Sequence, residues 1–133
     1  MQYFLAKTDP DTYSIDDFEK EGTTLWDGVH NNAALLFIQK MTVGDQVFIY
    51  ESMSSKAIVG LAEVTTAPRK NENDPRPSWV VDMKFIKKYE KPLTLAEFKT
   101  NPAFKDFALV KQSRLSTMPV PEDLAKEILR LLA

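Results

Sequence analysis

The chain has no cysteine, and that absence closes off several chemistries at once. There can be no disulfide framework, no thiolate metal ligand and no thiol nucleophile. Histidine is almost missing too: His30 is the only one, too few for a transition-metal site built on imidazoles. The four glycines stand far apart, which excludes a phosphate-cradling glycine loop. No apolar run approaches the length of a bilayer span, and the opening residues 1–7 lack both the basic flank and the apolar stretch of a signal peptide. A basic surplus is missing as well. The chain carries 17 Lys and Arg against 19 Asp and Glu, a net charge of -2, and a pI near 5.4. Sequence-blind nucleic-acid binders draw most of their affinity from phosphate neutralisation, so contact with nucleic acid here is expected to be local and centred on a pocket. These absences predict a cytoplasmic protein with no membrane segment, no metal and no cofactor.

What is present suits one folded unit. The 133 residues are 44% hydrophobic and 27% charged, which predicts a single domain over 1–133 with its own core, folding as a monomer. Residues 3–7 read as a strand closed by Asp9-Pro10. Ser14 with Asp17 three residues on is an approximate capping box for a short helix that stops at Gly22. Residues 23–28 read as an extended piece ending in a turn. From Asn31 or Asn32 to Met41 the chain is apolar nearly all round, which predicts a helix buried on more than one side. Strands follow at 46–52 and 57–66, with Gly60 marking a bulge or a close backbone approach. Residues 67–78 read as a solvated loop. Alternation from Trp79 to Ile86 predicts a half-buried strand, residues 95–99 a helical turn after Thr94, and 115–120 an edge strand limited by Pro119. The terminal helix opens after Pro121 with the stripe Leu124, Ile128, Leu131 and Leu132. Strands that cluster instead of alternating with helices predict an α+β fold, a curved sheet or small barrel flanked by helices.

The catalytic inventory is thin. Ser52 or Ser116 could be set with His30 and Asp27, but there is no nucleophile elbow, and the spacing from Asp27 to His30 is merely local. The acids at 9, 11, 16, 17 and 19 lack the ordered loop of a calcium site. The expectation is therefore a binding protein and not an enzyme. Recognition chemistry is better stocked. Trp26, Asp27, His30 and Asn31 stand within six residues at a turn; Tyr50 and Ser52 end one strand, Trp79 begins another, and Arg114 to Ser116 precede the last. Aromatic faces with a few amide, acid and hydroxyl groups are what a flat heterocycle requires. Each of these aromatics could equally be a core filler.

The same stretches carry a family resemblance. The sequence resembles the EVE domain, a branch of the PUA-like superfamily that includes the YTH readers, over nearly the whole chain and with motifs in order. Lys7-Thr8-Asp9-Pro10 resembles the family's Lys-Ser-Glu-Pro, and Tyr13 to Phe18 its Tyr-Ser-x-x-Asp-Leu. Trp26-Asp27-Gly28-Val29 is its most distinctive tetrad, followed by Asn31. Residues 41–50, 58–60, 77–83 and 114–120 are similar to its Met-x-x-Gly-Asp-x-Val strand, the strand after it, its Trp strand and its Arg-Leu-Ser-x-x-Pro-Val segment. The resemblance implies a PUA-like pseudo-barrel of mixed or antiparallel strands and a module that reads a modified, flipped base in DNA or RNA. It implies Trp26 as a stacking wall, Asn31 as an edge reader, Tyr50 and Ser52 as pocket lining, and Lys7 and Arg114 near phosphate or the rim. Trp79 is left between core and wall.

Three positions depart from the pattern. His30 stands where the family has arginine, Glu51 where it has histidine, and Leu35-Leu36-Phe37 where it has Ala-Arg-Asn. Each removes a cation or polar group near the implied site, and together with the acidic pI they keep open a second reading, a small-molecule or protein-partner binder that reuses the pocket without nucleic acid.

Overall fold

The computed structural model describes residues 1–53 and 55–133. Local chemistry accounts for the helices. Ser14 caps helix α1, Ile15–Glu21, in a reciprocal box with Asp17, and Gly22 at φ 76° ends it. Asn31 caps α2, Asn32–Gln39. Thr94 and Glu97 form a second box at α3, Leu95–Thr100. Helix α4 spans Ala108–Lys111, and α5, Glu122–Leu132, follows Pro121 and buries Ala125, Ile128 and Leu132.

The strands are β1 Tyr3–Thr8, β2 Thr23–Trp26, β3 Gln46–Glu51, β4 Ala57–Val64, β5 Arg69–Lys70, β6 Trp79–Thr94 and β7 Thr117–Val120. They form a sheet in the order β2-β6-β4-β3-β1-β7, with β5 on β6. Strand β1 runs parallel to β3 and antiparallel to β7; the remaining pairs are antiparallel. The sheet is thus mixed, and the fold is α+β. Register shifts between Ile58 and Gly60 and between Leu61 and Ala62 bend β4 on β6. At Gly60 a Cβ would collide with Ile15 Cδ1 and sit 2.9 Å from Lys87 O, so bulge and close approach coincide there. The core gathers Phe4, Phe18, Phe48 and Ile58 between the sheet and its helices. Asp45, itself buried, accepts from Gln2 N at 2.9 Å and Thr42 N at 2.9 Å, fixing the start of β1 to the turn before β3.

The fold departs from the sequence expectations in four places. The strand from Trp79 runs on to Thr94, because β4 pairs with it as far as Thr94. The loop 67–78 contains β5, held by Val80 and Trp79. Residues 101–113 supply a 3-10 turn, Pro102–Phe104, and α4, packed through Phe98, Phe104 and Phe107 with centroids 4.8 to 6.0 Å apart. Helix α2 buries one side, Ala34, Leu35 and Ile38, and leaves Leu36 58% exposed.

Candidate nucleic-acid interface

The end of β1 is a ridge between two open concavities. Lys7 N donates to Ser116 O at 2.8 Å, and Ser52 N donates to Thr8 O at 2.9 Å, so the ridge is held from β7's side and from β3's. Thr8 Oγ1 donates to Tyr13 O at 2.7 Å. Asp9 then closes a turn, its Oδ1 accepting from Asp11 N at 3.0 Å.

The first concavity, about 450 Å³, is lined by Tyr13, Thr24, Trp26, Asp27 and Gly28 together with the ridge and Ser116. Trp26 is only 6% exposed. Its ring meets Phe18 at 6.2 Å and Tyr13 edge-on at 6.5 Å, so the indole is anchored in the core while it lines the cavity. The second concavity, about 430 Å³, shares Lys7, Thr8, Asp9 and Ser116 and adds Tyr50, Ser52, Lys56, Ser113 and Arg114. Lys7 Nζ lies 5.7 Å from the Tyr50 ring centroid and donates to Ser113 O at 2.9 Å. Burial lowers the Lys7 pKa and raises that of the Tyr50 phenol. Lys56 holds a left-handed φ of 46°, uncommon for a residue with a side chain. The two cavities differ in charge: the first sets Asp9 and Asp27 against Lys7, the second sets Lys7, Lys56 and Arg114 against Asp9.

The residues singled out from sequence are distributed as follows. Trp26 is in the first cavity; Tyr50 and Ser52 are in the second; Lys7 joins both. Ser52 Oγ donates to Thr8 O at 3.3 Å. Arg114 lines the second cavity and a shallower one beyond it, where Asn31 also lies. Asn31 Oδ1 accepts from Ala34 N at 3.1 Å, so this oxygen caps α2. His30 lies outside both cavities, with Nε2 2.5 Å from Asp74 Oδ2. Asp74 also accepts from Arg76 N and Ser78 Oγ, both at 2.9 Å. The Arg76 amide first, then His30, brings its carboxyl down to about 2. Trp79 is half-buried against the core, paired with Lys70, and also lies outside both cavities. Sequence reasoning passed over Thr8, Asp9 and Tyr13 as site residues, although each sits inside a motif that carried the resemblance; Ser116, weighed there as a nucleophile and in the Arg114 to Ser116 stretch, borders both cavities. Lys56 had no such signal, since its backbone conformation emerges only in the connection between β3 and β4. Among the described residues no cluster of three His, Asp or Glu could hold a metal ion, and no helix is long and apolar enough to cross a membrane.

The chain is similar to known proteins in sequence and in fold. The sequence profile of the EVE domain matches residues 2–131. Thymocyte nuclear protein 1 of Rattus norvegicus is 28% identical over 164 residues, covering 97% of this chain and 73% of that protein. In three dimensions the chain superposes on Rpa0253 from Rhodopseudomonas palustris with a TM-score of 0.92 at 35% identity, over 99% of this chain and 93% of that one. It superposes on human THYN1 protein, solved in complex with 5-methylcytosine-containing DNA, with a TM-score of 0.89 at 25% identity, over 98% and 97% of the two chains. A profile match over almost the whole length, on a PUA-like fold shared with these structures, shows that the chain belongs to the EVE domain family.

Proposed function

We propose that this protein is a nucleic-acid-binding module, without enzymatic activity, that reads a modified base in DNA. The base enters the Trp26 cavity and the adjoining phosphates face the cation-lined cavity. The observation that carries this reading is the pairing of the two concavities across one ridge. An aromatic wall stands on one side, and Lys7, Lys56 and Arg114 surround the other. A base lifted from its stack loses stacking energy of a few kcal/mol, and an aromatic pocket restores it. Solution of human THYN1 protein with 5-methylcytosine-containing DNA supports the choice of ligand class.

The test is a fluorescence titration of single-stranded oligonucleotides with one central 5-methylcytosine or one plain cytosine. Trp26→Phe is the diagnostic variant. Trp26→Ala is expected to cost about 3–5 kcal/mol of stability, enough to obscure any effect on binding. The phenylalanine ring keeps the core contacts with Phe18 and Tyr13 in large part and weakens stacking on the base. The expected result is a preference for the methylated strand that Trp26→Phe reduces several-fold with folding retained. Equal binding of both strands, unaltered by Trp26→Phe, refutes the reading.

A further inference from the structure

We propose that Asp9 is the hydrogen-bond acceptor that makes the Trp26 cavity select a base bearing an exocyclic amine over one bearing a carbonyl at the same position. The proposal rests on the base-reading function above and deepens it. Asp9 stands on the ridge and lines the Trp26 cavity. Its side chain is pre-positioned: Oδ1 accepts from Asp11 N at 3.0 Å, while the Asp9 carbonyl accepts from Thr12 N and Tyr13 N at 3.0 and 2.8 Å. Oδ2 has no hydrogen-bond or ion-pair partner among the described residues. The other acid at this cavity, Asp27, has no side-chain hydrogen bond or ion pair among the described residues, so nothing orients it. Lys7, the one lysine at the cavity among the described residues, is committed elsewhere, to Ser113 O and the face of Tyr50.

Asp9 is exposed on the ridge and borders both cavities; in this proposal it is the open oxygen Oδ2 that meets a base held against Trp26. The amine at C4 of cytosine, or at C6 of adenine, donates to such an oxygen. The C4 carbonyl of thymine or uracil places oxygen against oxygen, and a carboxylate approaching the neighbouring ring N–H meets carbonyls on both sides of it. A ligand that leaves the carboxylate desolvated and unpaired is rejected more strongly than one that merely lacks an attraction.

5-Methylcytosine and thymine carry the same methyl group and the same ring size, and differ at C4 and in the proton on N3. Single-stranded oligonucleotides with one or the other at the centre isolate this feature. Wild type is expected to bind the 5-methylcytosine strand at least about ten-fold more tightly, the scale of one hydrogen bond to a charged group. Asp9→Asn keeps the oxygen that accepts from Asp11 N and puts an NH2 donor where the open oxygen was. The discrimination is then expected to fall to near unity or reverse towards thymine, with the thermal melt unchanged, a result that loss of a structural contact would not give. A wild-type ratio near unity overturns the proposal, as does a ratio that survives Asp9→Asn or falls only in Asp27→Asn; base reading is judged separately, by the preference for the 5-methylcytosine strand over the plain cytosine strand and its loss in Trp26→Phe. Binding of neither strand by wild type overturns base reading and this proposal with it.

Discussion

Asp74 shows how one residue can hold a loop. Its carboxylate takes hydrogen bonds from Arg76 N and Ser78 Oγ within its own loop and approaches His30 Nε2 beside the Trp26 turn. The native carboxyl ionises at about 2, below the value near 3.9 of an unfolded chain. The stabilisation is therefore complete above about pH 4 and is lost as the pH falls through 2. Urea melts of wild type and Asp74→Asn should differ most near neutrality and converge towards pH 2; a constant difference across that range contradicts the assignment. His30 itself was legible as a lone histidine near a helix start, but its partner was not, since Asp74 lies 44 positions away in a stretch that reads as plain solvated loop. Trp26 was legible as an aromatic at a turn. Whether it is wall or filler could not be read, because the answer is both: its ring is wedged between Phe18 and Tyr13 and still borders the cavity. Tyr50 and Trp26 read as neighbours in one pocket, and the separation arises because the end of β1 passes between them.

Elements with a local cause were legible, and elements with a tertiary cause were not. Capping boxes at Ser14 and Thr94, the Pro121 start and the turn at Gly44 and Asp45 are written within a few residues, and the helices and strands beside them lie where expected. The second half of β6 has no such local signature. Residues 86–92 are mostly exposed and charged, and they are extended because β4 pairs alongside as far as Thr94. The short helices over 101–113 depend likewise on a cluster of three phenylalanines that no periodicity announces. Gly60 is the element-scale test, since the crossing of β4, β6 and α1 depends on its lack of a side chain. Gly60→Ala presses a methyl group on Ile15 Cδ1 and on Lys87 O, and is expected to cost about 1–3 kcal/mol of stability by denaturant melting. Adding Ile15→Val to trim the first contact should recover only part of the loss, because the second contact is with backbone. Full recovery would place the strain in the side chain alone.

At the scale of the whole molecule the charge balance sets how the ligand is approached. A net charge of -2 with cations gathered at one cavity predicts a shallow salt dependence. The slope of log affinity against log salt should be no steeper than about -3, and Lys7→Ala or Arg114→Ala should each flatten it by about one. A steep slope that neither change alters would put the phosphate path elsewhere. The overall architecture was legible because it follows from composition, element order and motif order together; the parallel pairing of β1 with β3 was not, since strand direction is fixed by the helical crossover between them and not by side-chain pattern. That pairing has a consequence for how the protein is made. Of the seven strands β1 is synthesised earliest, yet it lies inside the sheet between β3 and β7, and β7 is the latest of the seven. Its residues must wait for Thr117–Val120 to be synthesised before both flanks are covered. The ridge beside Trp26 is tied by the same late contact, Lys7 N to Ser116 O. The ridge is therefore completed only after Ser116 and β7 have been made, and a nascent chain stalled before Ser116 has a Trp26 cavity that lacks its Ser116 side.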